Sequence, residues 1–111
     1  MHILLDPTST EFTRLEIAGR VFRFAQAKKD CGAAIIRQLS KLKISAQDEL
    51  AVIVGPGNFT AIRTACLIAN AVHFLTKCQL WAKRADENQF QKVGSLRPFY
   101  ASEPQITLAK R

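Results

Sequence analysis

The residues best placed to do chemistry lie in Gly55-Pro56-Gly57-Asn58-Phe59-Thr60, with Arg63 close behind. Glycine reaches positive φ at little cost and proline fixes its own φ, so the chain must turn sharply here. A helix starting at this turn presents unpaired backbone N–H groups, which attract a phosphate or a carboxylate. The spacing is not that of a Walker loop, because no GxxxxGK[ST] occurs. The stronger expectation is mechanical. Gly55-Pro56-Gly57 aims the helix, Asn58 or Thr60 caps it, and Phe59 anchors its first turn. Arg63, one turn in, can pair with an acidic group of a partner or stand in solvent.

The remaining reactive types point away from catalysis. His2 and His73 are far apart and fit no HxxxH or HExxH pattern, so no metal site is expected. Ser9, Thr10 and Thr60 have no evident His/Asp partner for nucleophilic attack. Asp6 is expected to accept backbone hydrogen bonds from the Thr8-Ser9-Thr10 turn. Cys31, Cys66 and Cys78 include no CxxC pair, and Cys66 sits in an apolar run where cysteine acts as a small hydrophobe. An odd count without pairing motifs reads as a reducing compartment. No catalytic residue and no cofactor are expected.

The elements that position these residues follow an α/β pattern. Ile3-Leu-Leu5 is a first strand. Arg14–Ala18 and Val21–Ala25 form a hairpin around Gly19-Arg20. Ala33–Lys43 is an amphipathic helix, Ala51–Val54 a buried strand, Phe59–Lys77 a long helix, and Gln79–Ala82 a last strand. Asp86 is expected to cap one or two short helical turns through Val93. The parallel steps should cross over right-handed. The economical fold is a mixed five-stranded sheet with two main helices on one face.

A chain of 111 residues suits one domain. Its formal charge of +7 favours an acidic partner or RNA, although it lacks the aromatic RNP pattern and KH-type GxxG of RNA-binding modules. The N-terminus reads as a strand rather than a signal peptide. Arg63, Asn70 and His73 interrupt the best apolar run, so no membrane span is expected, and the chain reads as cytoplasmic.

The helix from Phe59 to Lys77 is apolar over more than the arc of about 100° that one sheet needs. Ala61, Ala65, Ala69 and Val72 form one stripe, and Thr64, Ile68, Ala71 and Leu75 another. Only Arg63, Asn70, His73 and Lys77 make a polar strip. The excess implies a partner polypeptide, or cover from the C-terminal tail or the first helix. The expected partner face is Ala33, Ile36, Leu39, Ala61, Ala65, Ile68, Ala69 and Val72. Arginine at Ala65 or Ala69 is expected to disrupt association without unfolding the domain.

These residues resemble a known family. GPGNFTAIR, residues 55–63, resembles the GPGSFTGLR loop of the TsaB (YeaZ) family, with Asn58 in place of serine and Ala61 in place of glycine. Ile3-Leu-Leu-Asp-Pro-Thr-Ser-Thr10 resembles that family's opening strand and Asp-Thr-Ser-Thr turn, with Pro7 in place of a small or polar residue. Residues 96–111 resemble its C-terminal tail. The resemblance implies a single lobe of the actin-like ATPase (ribonuclease H-like) fold over residues 1–93, an extended tail over 94–111, and an absent second lobe. It further implies a non-catalytic subunit that binds and activates a TsaD-like catalytic subunit making threonylcarbamoyladenosine in tRNA. A TsaE-like ATPase would join the pair, and tRNA would be reached through the complex. Alone, the chain would form a homodimer through the same surface. Half the interlobe nucleotide cleft would be missing, so independent ATP binding is not expected. The alternatives are a small nucleotide-binding protein and a standalone tRNA-binding module.

Overall fold

The computed structural model describes residues 1–99, so the expected tail beyond Phe99 lies outside the described residues. The element order is β1 (His2–Asp6), β2 (Phe12–Ile17), β3 (Arg20–Ala25), α1 (Cys31–Ser40), β4 (Glu49–Ile53), α2 (Phe59–Thr76), β5 (Gln79–Lys83) and β6 (Gln91–Val93). The strands form one mixed α/β sheet in the order β3-β2-β1-β4-β5-β6. β1 pairs in parallel with β4, and β4 with β5. The β1–β2, β2–β3 and β5–β6 pairs are antiparallel.

Strand alternation builds the core. Side chains two apart share a face of the sheet, and the register lines up Leu15, Leu5 and Val52 in one row and Ile17, Ile3, Leu50 and Leu80 in another. All seven are buried. Ile35 and Leu39 of α1, and Ile62, Ala65, Cys66 and Ala69 of α2, close over these rows. Both helices therefore lie on one face, as expected. On the other face Leu4, Ala51 and Trp81 remain half-buried.

The sheet has six strands rather than five. Residues 86–93 were expected to be helical. Instead the chain reverses after β5 through a turn in which the Glu87 amide donates to the Arg84 carbonyl and the Glu87 carboxylate accepts from the Arg84 amide. Gln91–Val93 then pairs back along β5. So short a strand finds its stability in that pairing rather than in its own pattern. The hairpin turn also sits one residue earlier than expected. Ala18 (φ 50°) and Gly19 (φ 86°) are the two central residues, as a twisted two-residue hairpin requires. This register keeps Ile17 on the core face. α1 begins two residues before Ala33 and ends at Ser40.

Candidate functional site

The glycine loop packs the molecule's turns together. Gly55 has φ +126°, and a Cβ there would fall onto the Phe99 carbonyl oxygen. The Gly55–Pro56 peptide bond is cis. A Cβ at Gly57 would lie 2.7 Å from Thr8 Cα, so this loop rests directly on the β1–β2 turn. That turn is organised by Asp6, whose Oδ1 accepts from the Thr8 amide at 3.0 Å and the Thr8 hydroxyl at 2.6 Å. Asp6 Oδ2 faces Arg14 Nη2 at 3.4 Å.

Asn58 is the helix cap: its Oδ1 accepts from the Ala61 amide at 2.9 Å. Thr60 lies inside the first turn, exposed. Ile62, fully buried, anchors that turn in the core, where Phe59 had been expected to do so. Phe59 is 46% exposed and lies under the Arg63 guanidinium at 5.9 Å. α1 approaches α2 closely because Gly32 has no side chain. A Cβ there would come within 3.1 Å of Thr64 Cγ2. Near the N-termini of both helices is a cleft of about 430 Å³, lined by Gln26, Lys28, Lys29, Cys31, Asn58 and Thr60 among others.

The other reactive groups are structurally occupied. His2 Nδ1 lies 2.7 Å from Glu49 Oε1, and His73 Nδ1 meets the Cys78 carbonyl at 2.6 Å. The Ser9 hydroxyl accepts from the Glu11 amide. Cys66 is buried in α2, and burial pushes its thiol up to about 11. Burial, helped by the nearby Asp30 carboxylate, raises the Cys31 thiol as well. Such thiols hold their protons at neutral pH and are poor nucleophiles.

The helical face is where sequence expectation and structure part in detail. Ala65 (1% exposed) and Ala69 (0%) belong to the core beneath the helices, and Leu39 (4%) is buried at the floor of the α1/α2 groove. Ile68 is buried at 7%, while Ala61 and Val72 are half-buried. Of the expected face, Ala33 and Ile36 stand exposed. The outward apolar residues of α2 are instead Leu67 (67%), Phe74 (71%) and Leu75 (76%). The inward side carries Ile62, Ala65, Cys66 and Ala69, and the other large side chains turn to the opposite side. That signal was present in the spacing, since 67, 74 and 75 lie on one helical arc and 62, 65 and 69 on the other. Between α1 and α2 runs a groove of about 400 Å³, lined by Ile36, Leu42, Ile44, Ala71, Val72 and Leu75 among others.

The flank of α2 away from α1 is covered by the chain's own C-terminal segment, through Asn70. Its Nδ2 donates to the Leu96 carbonyl at 3.1 Å, and its Oδ1 accepts from the Leu96 amide at 2.8 Å. Leu96 is buried, and the Phe99 amide donates to the Val54 carbonyl. The sequence places Asn70 in a polar strip. One asparagine in an apolar helix carries no sign of which backbone it will bind.

Length and composition alone let α2 pass as a membrane span, contrary to expectation, with a mean hydropathy of 1.3 over 18 residues. Its inner side is nonetheless filled by the sheet and its edge by α1 and Leu96.

This order, with β1-β2-β3 antiparallel and β1, β4 and β5 parallel under two helices, matches solved structures. One is YeaZ from Pseudomonas aeruginosa; another is an uncharacterized protein with similarity to peptidase YEAZ from the same organism. Each aligns with a TM-score of 0.52 and 22% sequence identity over 75% of this chain. The fold is YeaZ-like. This chain spans 42% of the length of either structure, consistent with a partial actin-like fold. No family model and no curated protein matches the sequence.

Proposed function

We propose that this chain is a non-catalytic scaffold subunit that docks its α1/α2 face on a TsaD-like catalytic subunit and supports threonylcarbamoyladenosine formation in tRNA. The observation that carries this reading is the exposed apolar surface of the helices: Ile36 and Leu75 line the α1/α2 groove, and Leu67 and Phe74 stand exposed on α2. Apolar side chains gathered at one exposed groove mark an interaction surface. The YeaZ-like fold and the resemblance of the GPGNFTAIR loop support reading the partner as TsaD-like. The chain works in the cytoplasm with tRNA reached through the complex, and a TsaE-like ATPase joins the assembly.

The test is co-expression with the TsaD-like subunit of the same organism, followed by a tRNA modification assay. The expected result is a stoichiometric complex whose activity falls when this chain is omitted. Leu75→Arg, at a 76% exposed position, should abolish co-purification. Full modification activity without this chain overturns the proposal.

A further inference from the structure

We propose that the free edge of the sheet, from the hairpin tip at Arg20 to Lys29, contacts the phosphodiester backbone of RNA on a surface separate from the α1/α2 groove. It rests on the reading above only for the polyanion being RNA. Residues 17–29 carry Arg20, Arg23, Lys28 and Lys29 and no aspartate or glutamate. All four cations are exposed. The strand order puts β3 at the edge, and among the described residues no strand pairs with its outer side. Successive side chains of a strand point to opposite faces, so Arg20 and Arg23, about 10 Å apart along β3, straddle that edge. The Lys28 amide donates to the Ala25 carbonyl at 3.2 Å, so the lysines turn directly off the end of the strand.

No carboxylate neutralises these charges. Among the described residues none of the four has one within ion-pair distance. Of the acids nearest in the fold, Glu16, opposite Val21, faces Arg14 at 3.2 Å, and Asp30 faces Arg37 at 3.6 Å. Glu11, whose carbonyl accepts from the Gln26 amide, is the acid left against four cations. Arg20 lies over the Phe22 ring at 5.4 Å and Arg23 over the Phe12 ring at 5.5 Å. A ring face holds a guanidinium while leaving its N–H groups to fork onto a phosphate.

An acidic protein is the other occupant such charge could serve. Protein interfaces centre on large apolar side chains. On β3 only Val21 is of that kind and exposed, because Phe22 and Phe24 turn inward onto the core. A nucleic-acid backbone needs only cations along a line. Charge on an edge strand also keeps it from pairing with another sheet. Lys28 and Lys29 lie beyond the strand, where that protection is not required, and they extend the charged line towards the start of α1.

The test is binding of unfractionated tRNA by the full chain, followed by fluorescence anisotropy as NaCl is varied. Each phosphate contact contributes about 0.7–0.9 to the slope of log K against log salt, so four should give a slope of about −3. Arg20→Gln/Arg23→Gln and Lys28→Gln/Lys29→Gln should each bring the slope to about −1.5 and weaken binding at least about tenfold in about 0.05 M NaCl. Lys92→Gln/Arg97→Gln removes the same charge at and just beyond β6, the opposite edge of the sheet, and should leave the slope unchanged. Circular dichroism melting checks that each variant folds, and the lysine pair lies outside the sheet. An equal fall in the β6-side variant, an unchanged slope in both edge variants, or displacement of tRNA by polyglutamate at equal charge overturns the proposal. Edge-dependent tRNA binding by a chain that captures no TsaD-like subunit sinks the functional reading alone. Capture of that subunit with tRNA binding indifferent to the edge variants sinks this inference alone.

Discussion

At the scale of single residues, Cys66 shows how burial acts on chemistry. Its thiol titrates near 9 in an unfolded chain and near 11 in the fold, because the thiolate is poorly solvated under α2. The raised value makes the protonated form part of the native state. That contribution is complete below pH 9 and is lost as pH rises through about 11. Urea denaturation at pH 7 and at pH 10.5 should therefore show a larger loss of stability in the wild type than in Cys66→Ala. An identical pH dependence of the two proteins would contradict this account. Gly55 and Gly57 act by what they lack. Both let another backbone, at Phe99 and at Thr8, approach where a Cβ would sit. The loop's glycines were legible in the sequence as a turn. Which strands the turn would touch was not.

At the scale of elements, α2 is held on three sides: by the sheet, by α1 across Gly32 and Thr64, and by the Leu96 peptide on Asn70. Removing the Asn70 amide leaves a backbone donor and acceptor without their partner. Asn70→Ala should cost about 1–3 kcal/mol in chemical denaturation. It should also loosen the C-terminal segment, seen as faster amide exchange at Leu96. Unchanged stability and exchange would show that the pair is incidental. Helix existence and strand existence were readable because burial imposes periods of 3.6 and 2 on long segments. β6 escaped because three residues carry no period, and its pairing is decided by the reversal at Arg84–Glu87.

At the scale of the whole molecule, the helical layer has two sides with opposite requirements. Inward positions must be apolar and neutral, as Ile62, Ala65, Cys66 and Ala69 are; the exposed apolar positions Leu67, Phe74 and Leu75 stand on the outward side. Ala65→Arg places an unpaired charge at a 1% exposed site and should cost roughly 4 kcal/mol or more, enough to unfold so small a domain. Leu75→Arg, at 76% exposure, should leave the melting temperature nearly unchanged. Comparing the two by thermal denaturation separates core from surface. Equal destabilisation would refute this division of α2.

The sequence alone determined that this chain makes an α/β lobe with a glycine loop ahead of a broadly apolar helix. Those features are local: turn chemistry, caps and periodicity act over a few residues. It also carried the excess of positive charge, and its loop resembled a family whose fold the structure shares. The spacing marked two arcs on α2, and only the tertiary structure decided which of them faces outward, because both arcs are apolar and the sheet and α1 cover one of them. The structure moved the candidate face from Ala65 and Ala69 to Leu67, Phe74 and Leu75, and brought Leu75 across the groove from Ile36 of α1, which lies more than twenty positions away in the chain.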